Sequence, residues 1–125
     1  MSDLQISDAE LEVMKVLWQQ SPRTSAELVK TLQQTTDWAA PTIKSLLVRL
    51  VKKGAVLQSG EGRCFQYRPL VDYETYTERQ SVDFLDKFFG GAPQRMLSFF
   101  VEKNKLSAND LKLLQELIED AGKHE

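Results

Sequence analysis

The sequence predicts a mainly α-helical protein with a small β-hairpin, and three observations lead to this fold class. Apolar residues recur at intervals of three and four over most of the 125 residues, as they do along one face of a helix. Two glycines in four residues, Gly60 and Gly62, separate two runs of strand-forming residues and indicate a hairpin. Hydrophobic residues make up 42% of the chain, which suffices for a buried core. We therefore expect three helices, the hairpin and three further helices, in that order.

The first two helices each begin with a capping box, in which a hydroxyl and a carboxylate satisfy free backbone N–H groups of the first turn. Ser7 and Glu10 form the first box and predict a helix over residues 8–20. Thr24 and Glu27 form the second box and predict a short helix after it. Two helices therefore precede the part of the chain in which the basic residues concentrate.

The third predicted helix begins near Pro41 and ends before Gly54, a residue that tolerates the left-handed conformation of a helix end. Its apolar side consists of five residues: Ile43, Leu46, Leu47, Leu50 and Val51. Its other side carries only small hydroxyls and cations: Thr42, Ser45, Arg49, Lys52 and Lys53. Lys44 lies at the edge of this polar stripe. A solvated helix usually mixes both signs of charge, so a stripe without an acid favours contact with an anion.

The net charge of -2 is an average over segments of opposite sign. Residues 1–69 carry a net charge of +2, and residues 70–125 carry -4. Six basic residues against Glu61 alone give residues 41–68 a net charge of +5. The positive charge is therefore concentrated on the third helix and the hairpin, as it would be on a surface that contacts an anion at one place.

Three helices followed by a hairpin are the arrangement of a winged helix-turn-helix, and we expect this DNA-binding domain to occupy residues 1–70. The third helix would enter the major groove, and the hairpin would lie along the DNA backbone. The side chains expected to meet bases or nearby phosphates are Thr42, Lys44, Ser45 and Arg49. The side chains expected to contact only the DNA backbone are Lys52, Lys53 and Arg63. Arg49 is favoured as a base contact because Arg can bind guanine through two atoms.

Residues 71–125 are predicted to form a three-helix dimerisation region. Their helices carry two aromatic pairs, Phe88–Phe89 and Phe99–Phe100, and more apolar surface than a small bundle hides. A second copy would bury the excess in a two-fold dimer. The residues expected at that interface are Tyr76, Leu85, Phe88, Phe89, Leu97, Phe100, Leu111, Leu114 and Ile118. The alternative, in which these helices fold back onto the first domain of the same chain, stays open.

Several segments resemble the penicillinase-repressor family of winged-helix transcriptional repressors, which includes the β-lactamase, methicillin-resistance and copper-transport operon repressors. Residues 6–14 with residues 17–18 are similar to the family's first helix. Residues 37–38, 42–50 and 52–54 are similar to its recognition helix, although Pro41 stands where the family commonly has a basic residue. Residues 65–67 resemble its second wing strand, and residues 88–91 and 100–103 its dimer region. The resemblance implies a bacterial repressor that binds a palindromic double-stranded operator as a homodimer.

The resemblance leaves the inducing signal open between β-lactams, copper and other stimuli. Copper-responsive members carry paired cysteines near the C-terminus, and residues 105–125 contain none, so we expect no metal site of that kind. β-Lactam-responsive members are inactivated by cleavage before a Phe that matches Phe100, where the preceding residue is commonly Asn rather than Phe99. Apart from that departure, the resemblance implies regulatory cleavage between Phe99 and Phe100 by a sensor-linked protease.

Histidine and cysteine, which many catalytic and metal sites require, are scarce in this chain. With His124 as the only histidine and Cys64 as the only cysteine, we expect no enzyme, no cofactor and no internal disulfide. No apolar stretch approaches the ~20 residues that cross a bilayer, and no secretion signal is present, so we expect a cytoplasmic protein without a membrane partner. Two alternatives to a repressor remain: a winged-helix protein-interaction module, and a redox or metal sensor acting through Cys64.

Overall fold

The helix and strand boundaries follow from local capping chemistry and from the pairing of the hairpin. The computed structural model describes residues 4–62 and 65–123. The helices in these residues are α1 Asp8–Gln19, α2 Ser25–Gln33, α3 Ala40–Lys53, α4 Tyr73–Phe89, α5 Pro93–Glu102 and α6 Ala108–Gly122. The strands are β1 Arg23–Thr24, β2 Val56–Ser59 and β3 Gln66–Pro69. The predicted fold class, mainly helical with a hairpin after the third helix, is confirmed.

Both predicted capping boxes are present. The Ser7 hydroxyl accepts the N–H of Glu10 at 3.1 Å, while the Glu10 carboxylate accepts the N–H of Ser7 at 2.9 Å. Thr24 and Glu27 make the same reciprocal pair at the start of α2, at 3.2 and 2.8 Å. These hydrogen bonds lower the pKa of the Glu27 carboxyl. A residue three positions away supplies each partner, and the sequence pattern therefore suffices to place these helix starts.

The sheet has one more strand than the hairpin predicted from the sequence. The described strands form an antiparallel sheet in the order β1-β3-β2, of which β2 and β3 are the expected hairpin. Strand β1 consists only of Arg23 and Thr24, which pair with Tyr67 and Gln66. Two residues are too few to show an alternating pattern, and only their partners on β3 define them as a strand. This pairing joins the start of α2 to the hairpin.

Helices α1 to α3 and the hairpin enclose the core of the first compact unit, Met1–Tyr76. The buried apolar side chains there include Val13, Met14, Leu17, Leu28, Leu32, Ile43, Leu46, Leu47, Leu50 and Val56. Trp18 lies at the margin of this core and donates its indole N–H to the Val71 carbonyl at 2.8 Å. Its ring packs edge-on against Tyr73 at 5.2 Å and beside Tyr76 at 5.9 Å. The first turn of α4 therefore belongs to this unit, whose boundary lies six residues beyond the expected residue 70.

The second unit, Thr77–Glu125, is held together in a different way. Among its described residues, 77–123, no side chain is buried. Phe84 packs on Phe88 with ring centroids 5.0 Å apart, and Phe89 packs on Phe99 at 5.8 Å. These contacts leave large apolar side chains of α4, α5 and α6 open to solvent: Val82, Phe84, Phe88, Phe99, Val101, Leu111, Leu113, Leu117 and Ile118.

Candidate nucleic-acid interface

Helix α3 has one buried face and one solvent face. Four residues at helical spacing bury it against the core: Ile43, Leu46, Leu47 and Leu50. Pro41 occupies the first turn, where a missing N–H costs nothing. Gly54 ends the helix in the left-handed region, with φ of +81°, and donates its N–H to the Leu50 and Val51 carbonyls. The two helix ends and the buried face together fix which side chains point outward.

The outward side of α3 carries most of the residues predicted to bind DNA. Five of them are exposed there: Thr42, Lys44, Ser45, Arg49 and Lys52. No acidic residue occurs between Ala40 and Lys53. Within residues 4–62 and 65–123, neither Lys44 nor Arg49 nor Lys52 forms an ion pair or a side-chain hydrogen bond. Their charges are therefore available to an anion on this side of the helix.

Lys53 was predicted to contact the DNA backbone, and the structure gives its ammonium group internal partners instead. The Lys53 Nζ donates to the Glu10 carboxylate at 2.5 Å and to the Gln5 carbonyl at 2.6 Å. Glu10 is only 1% exposed, and it also accepts the N–H of Ser7. Burial raises the pKa of the Glu10 carboxyl, but the hydrogen bonds from Lys53 and Ser7 and the charge of Lys53 outweigh burial and lower it overall. Lys53 therefore holds the end of α3 against α1.

The hairpin lies beside the outward face of α3. A concavity of about 240 Å³ is lined by Lys44 and Val48 of α3, by Gln58 of β2 and by Tyr67 of β3. Arg68 is exposed on β3, opposite Leu57. Arg63, predicted as a backbone contact, lies outside the described residues. The concavity therefore brings Lys44 beside Tyr67 of the hairpin, whereas Arg68, the next residue along β3, points to the opposite face of the strand.

Sequence reasoning missed one residue of this surface, Val48. Its side chain is 53% exposed although it is apolar. The signal was its spacing, since Val48 follows Ser45 by three positions and precedes Lys52 by four, which places all three on one line along a helix. The polar stripe was drawn from polar residues alone and left Val48 on neither side of the helix, whereas its position places it on the outward face.

The residues predicted for a dimer interface separate into two groups. Tyr76 is a correction, because it is 9% exposed and its ring packs on Trp18 within the first unit. Burial and the nearby charges of Asp8 and Glu10 raise the pKa of its hydroxyl. The other predicted residues all lie in the second unit, where none is buried: Leu85, Phe88, Phe89, Leu97, Phe100, Leu111, Leu114 and Ile118. Only this second group is free to meet a partner.

An apolar groove opens among the aromatic residues of the second unit. It has a volume of about 730 Å³, and its lining includes Phe84, Phe88, Phe89, Phe99 and Phe100. The predicted cleavage position, between Phe99 and Phe100, therefore lies within helix α5 and on the wall of this groove. Phe99 is exposed and Phe100 is half-buried.

The described residues offer no other chemical site of the kinds considered from the sequence. No cluster of three or more His, Cys, Asp or Glu side chains suited to a metal ion occurs among residues 4–62 and 65–123. Cys64 and His124, on which the sensor alternative and any catalytic pair would depend, lie outside those residues. Over the same part of the chain, no helix has the length and apolar character to span a bilayer.

Comparisons with known proteins agree with this geometry. Residues 6–120 match the penicillinase repressor family. The chain is 42% identical over 116 residues to the penicillinase repressor of Bacillus licheniformis, covering 93% of this chain and 91% of that protein. It is 31% identical over 114 residues to the methicillin resistance regulatory protein MecI of Mammaliicoccus sciuri, covering 91% and 93%. A solution structure of monomeric B. licheniformis BlaI with the blaP half-operator is 48% identical, with a TM-score of 0.53, and covers 61% of this chain and 94% of that one.

Proposed function

The chain belongs to the penicillinase repressor family, and from this premise we propose that it represses a β-lactam-resistance operon by binding operator DNA as a homodimer. The observation that carries the proposal is the outward face of α3, which is exposed, contains no acid and carries cations that form no ion pair within residues 4–62 and 65–123. The similar B. licheniformis domain was solved with a half-operator, and the matched 61% of this chain has the length of the winged-helix unit. The proposal assigns DNA binding to that unit.

We assign the DNA contacts by side-chain chemistry and by place on α3. Arg49 would bind a guanine edge through two hydrogen bonds, while the hydroxyls of Thr42 and Ser45 would bind bases or adjacent phosphates. Lys44 at the margin of the helix and Lys52 near its end would contact phosphates. Arg63 remains a proposed backbone contact on the evidence of the sequence alone. Lys53 is removed from this set because Glu10 and Gln5 hold its ammonium group.

A homodimer is supported by the second unit, residues 77–123 of which bury no side chain in one copy. Exposed apolar patches of this extent usually mark an interface. A two-fold dimer would bury the unpartnered faces of α4, α5 and α6 and would place two α3 helices on one DNA molecule. Half-sites separated by one or more turns of DNA, in a palindrome, would match that arrangement.

Proteolysis in the tail would release the operator if the dimer supplies much of the affinity. A cut between Phe99 and Phe100 would divide α5 and remove α6 from the chain. Because this bond lies within a helix, a sensor-linked protease would need to unwind part of α5 before cutting it. The proposed induction therefore predicts that cleavage dissociates the dimer and leaves the winged-helix unit folded.

Selection of bound duplexes from random DNA tests the proposed function. The full-length chain should enrich a palindromic motif, and its affinity for the enriched duplex should fall steeply as salt is raised. A scrambled duplex of the same length and composition is the control, and it should bind at least a thousandfold more weakly. Recovery of no motif, or an affinity insensitive to salt, would contradict DNA binding and favour the protein-interaction module.

A further inference from the structure

Val48 lies at the centre of the outward face of α3. Pro41, Ser45, Val48 and Lys52 follow one another at steps of four, three and four residues, and they form one row along the helix. All four are exposed, and the row lies opposite the buried Ile43, Leu47 and Leu50. The isopropyl group is thus 53% exposed between a hydroxyl and a cation, on the helix face proposed to enter the major groove.

The environment that Val48 would meet in DNA limits what it can contact. A valine side chain has no hydrogen-bond donor or acceptor, and next to a phosphate it would displace water from the anion without replacing the lost hydrogen bonds. The C5-methyl group of thymine is the apolar feature among the base edges of the major groove. We propose that Val48 contacts the C5-methyl group of one thymine in each half-site and so specifies an A·T pair there. This inference rests on the proposed function and deepens it.

The structure favours a fixed contact at this position. A β-branched side chain in a helix is restricted to one main rotamer, so little side-chain freedom is lost on binding. Val48 also lines the 240 Å³ concavity together with Gln58 and Tyr67, so the hairpin lies beside its isopropyl group. Ser45 precedes Val48 by about 4.5 Å along the helix axis on the same row, so a helix lying along the major groove would present the two side chains to successive positions of the groove. Ser45 and Val48 would therefore meet neighbouring base pairs.

Replacing thymine by uracil tests the contact, because deoxyuridine lacks the C5-methyl group and pairs in the same way. Each thymine of the selected duplex is replaced in turn, in both half-sites together, and the Kd of full-length protein is measured at constant salt. At one symmetric pair of positions, the wild-type Kd should rise about fourfold per half-site, the value of one buried methyl-sized group. In Val48→Ala, whose shorter side chain withdraws from the groove, this increase should fall below about twofold per half-site.

Lys52→Ala is the matched control, since Lys52 lies on the same row one turn further along α3. It should weaken binding to the thymine and uracil duplexes alike and leave the ratio of their Kd values unchanged. The inference is overturned if no uracil replacement affects the wild type, or if Val48→Ala retains the full uracil effect. Tight, salt-dependent binding with either of those results overturns this inference alone. Failure to select any duplex overturns the proposed function as well.

Discussion

The Nζ of Lys53, in the last turn of α3, lies 2.5 Å from Oε1 of Glu10, in the first turn of α1. The two residues are 43 positions apart in the sequence, and the Glu10 side chain is almost fully enclosed. The same carboxylate completes the capping box of α1 with Ser7. One acidic side chain therefore fixes the start of α1 and the end of the helix proposed to enter DNA.

Replacing Lys53 should destabilise the protein far more than replacing its neighbour. In Lys53→Met the Glu10 carboxylate stays buried without its cation, and the free energy of unfolding should fall by about 2–3 kcal/mol. The expected loss lies below the roughly 3–5 kcal/mol of a fully buried pair because the Lys53 side chain is 35% exposed. Lys52→Met, on the exposed side of the same turn, is the matched control and should change stability by about 0.5 kcal/mol or less. Urea unfolding measures both, and equal losses would contradict the role given to this ion pair.

The free energy of unfolding should fall at acidic pH as the Glu10 carboxylate is protonated. The folded-state pKa of Glu10 lies below its usual value of 4.5, so the unfolded chain binds the proton first as the pH falls. The contribution of Glu10 is therefore complete above about pH 4.5 and is lost as the pH falls through the lower, folded-state pKa. Glu10→Gln should be less stable than wild type at neutral pH and should lose less stability below pH 4.5. Parallel stability curves for the two proteins down to pH 3 would exclude this explanation.

Trp18 should couple the first turn of α4 to the winged-helix core. Trp18→Phe keeps an aromatic ring but removes the indole N–H that donates to the Val71 carbonyl, and the smaller ring packs over less area of Tyr73 and Tyr76. Loss of the hydrogen-bond donor should lower the free energy of unfolding by about 1–3 kcal/mol. The amide N–H of Tyr76 donates to the Asp72 carbonyl in the first turn of α4, and it should exchange with solvent hydrogen faster in the variant. Unchanged exchange at that amide would mean that Trp18 does not hold this turn.

Arg49 and Lys52 should contribute to DNA binding in different ways, since one is assigned to a base and the other to a phosphate. Arg49→Lys keeps the charge but loses the two-point grip on guanine, so discrimination at one base pair should fall by about 1–3 kcal/mol with little change in salt dependence. Lys52→Ala should weaken binding to all sequences and reduce the slope of log K against log salt by about 1. Anisotropy titrations at several salt concentrations separate the two effects. If Arg49→Lys lowered the affinity equally for all DNA sequences, Arg49 would be assigned to a phosphate instead of a base.

Local chemistry made much of the fold predictable, and distant pairing accounts for most of what was missed. The capping boxes of Ser7 and Thr24 depend on residues three positions away, and both were found from the sequence. Strand β1 exists only through β3, more than forty positions later, and its two residues carry no pattern of their own. The same applies to Lys53. Its positive charge predicts a side chain that is exposed to solvent or bound to DNA, and only the fold shows that Glu10 lies beside it. Periodicity identified the polar face of α3, but the face was drawn from polar residues alone and omitted the exposed Val48.

The division of the predicted interface residues follows the same logic. Tyr76 has the aromatic character and spacing of an interface residue, and only the fold brings it against Trp18 of the distant α1. The other members of that set are unburied because the second unit has too few residues to enclose them. Substitutions that test dimerisation should therefore be made among the exposed apolar side chains of α4, α5 and α6.

Charge placed on α6 should disrupt the proposed dimer without unfolding the winged-helix unit. Ile118 is 65% exposed in one copy and does not belong to a buried core. Ile118→Asp therefore removes an apolar contact only if a partner covers this residue. Sedimentation velocity should show wild type as a dimer and Ile118→Asp as a monomer at micromolar concentration. Lys112→Asp, an exposed change on the same helix that removes a cation, is the control and should remain dimeric.

The operator affinities should follow the oligomeric state. Ile118→Asp should bind a single half-site as wild type does but lose about a hundredfold or more in apparent affinity for the full palindrome, because the second α3 is no longer linked to the first. Its thermal unfolding should still show a cooperative transition for the winged-helix unit, whose core lies in residues of α1 to α3 and β2. A dimeric Ile118→Asp protein would remove Ile118 from the interface. A monomeric wild type that binds the palindrome tightly would contradict the proposed homodimer.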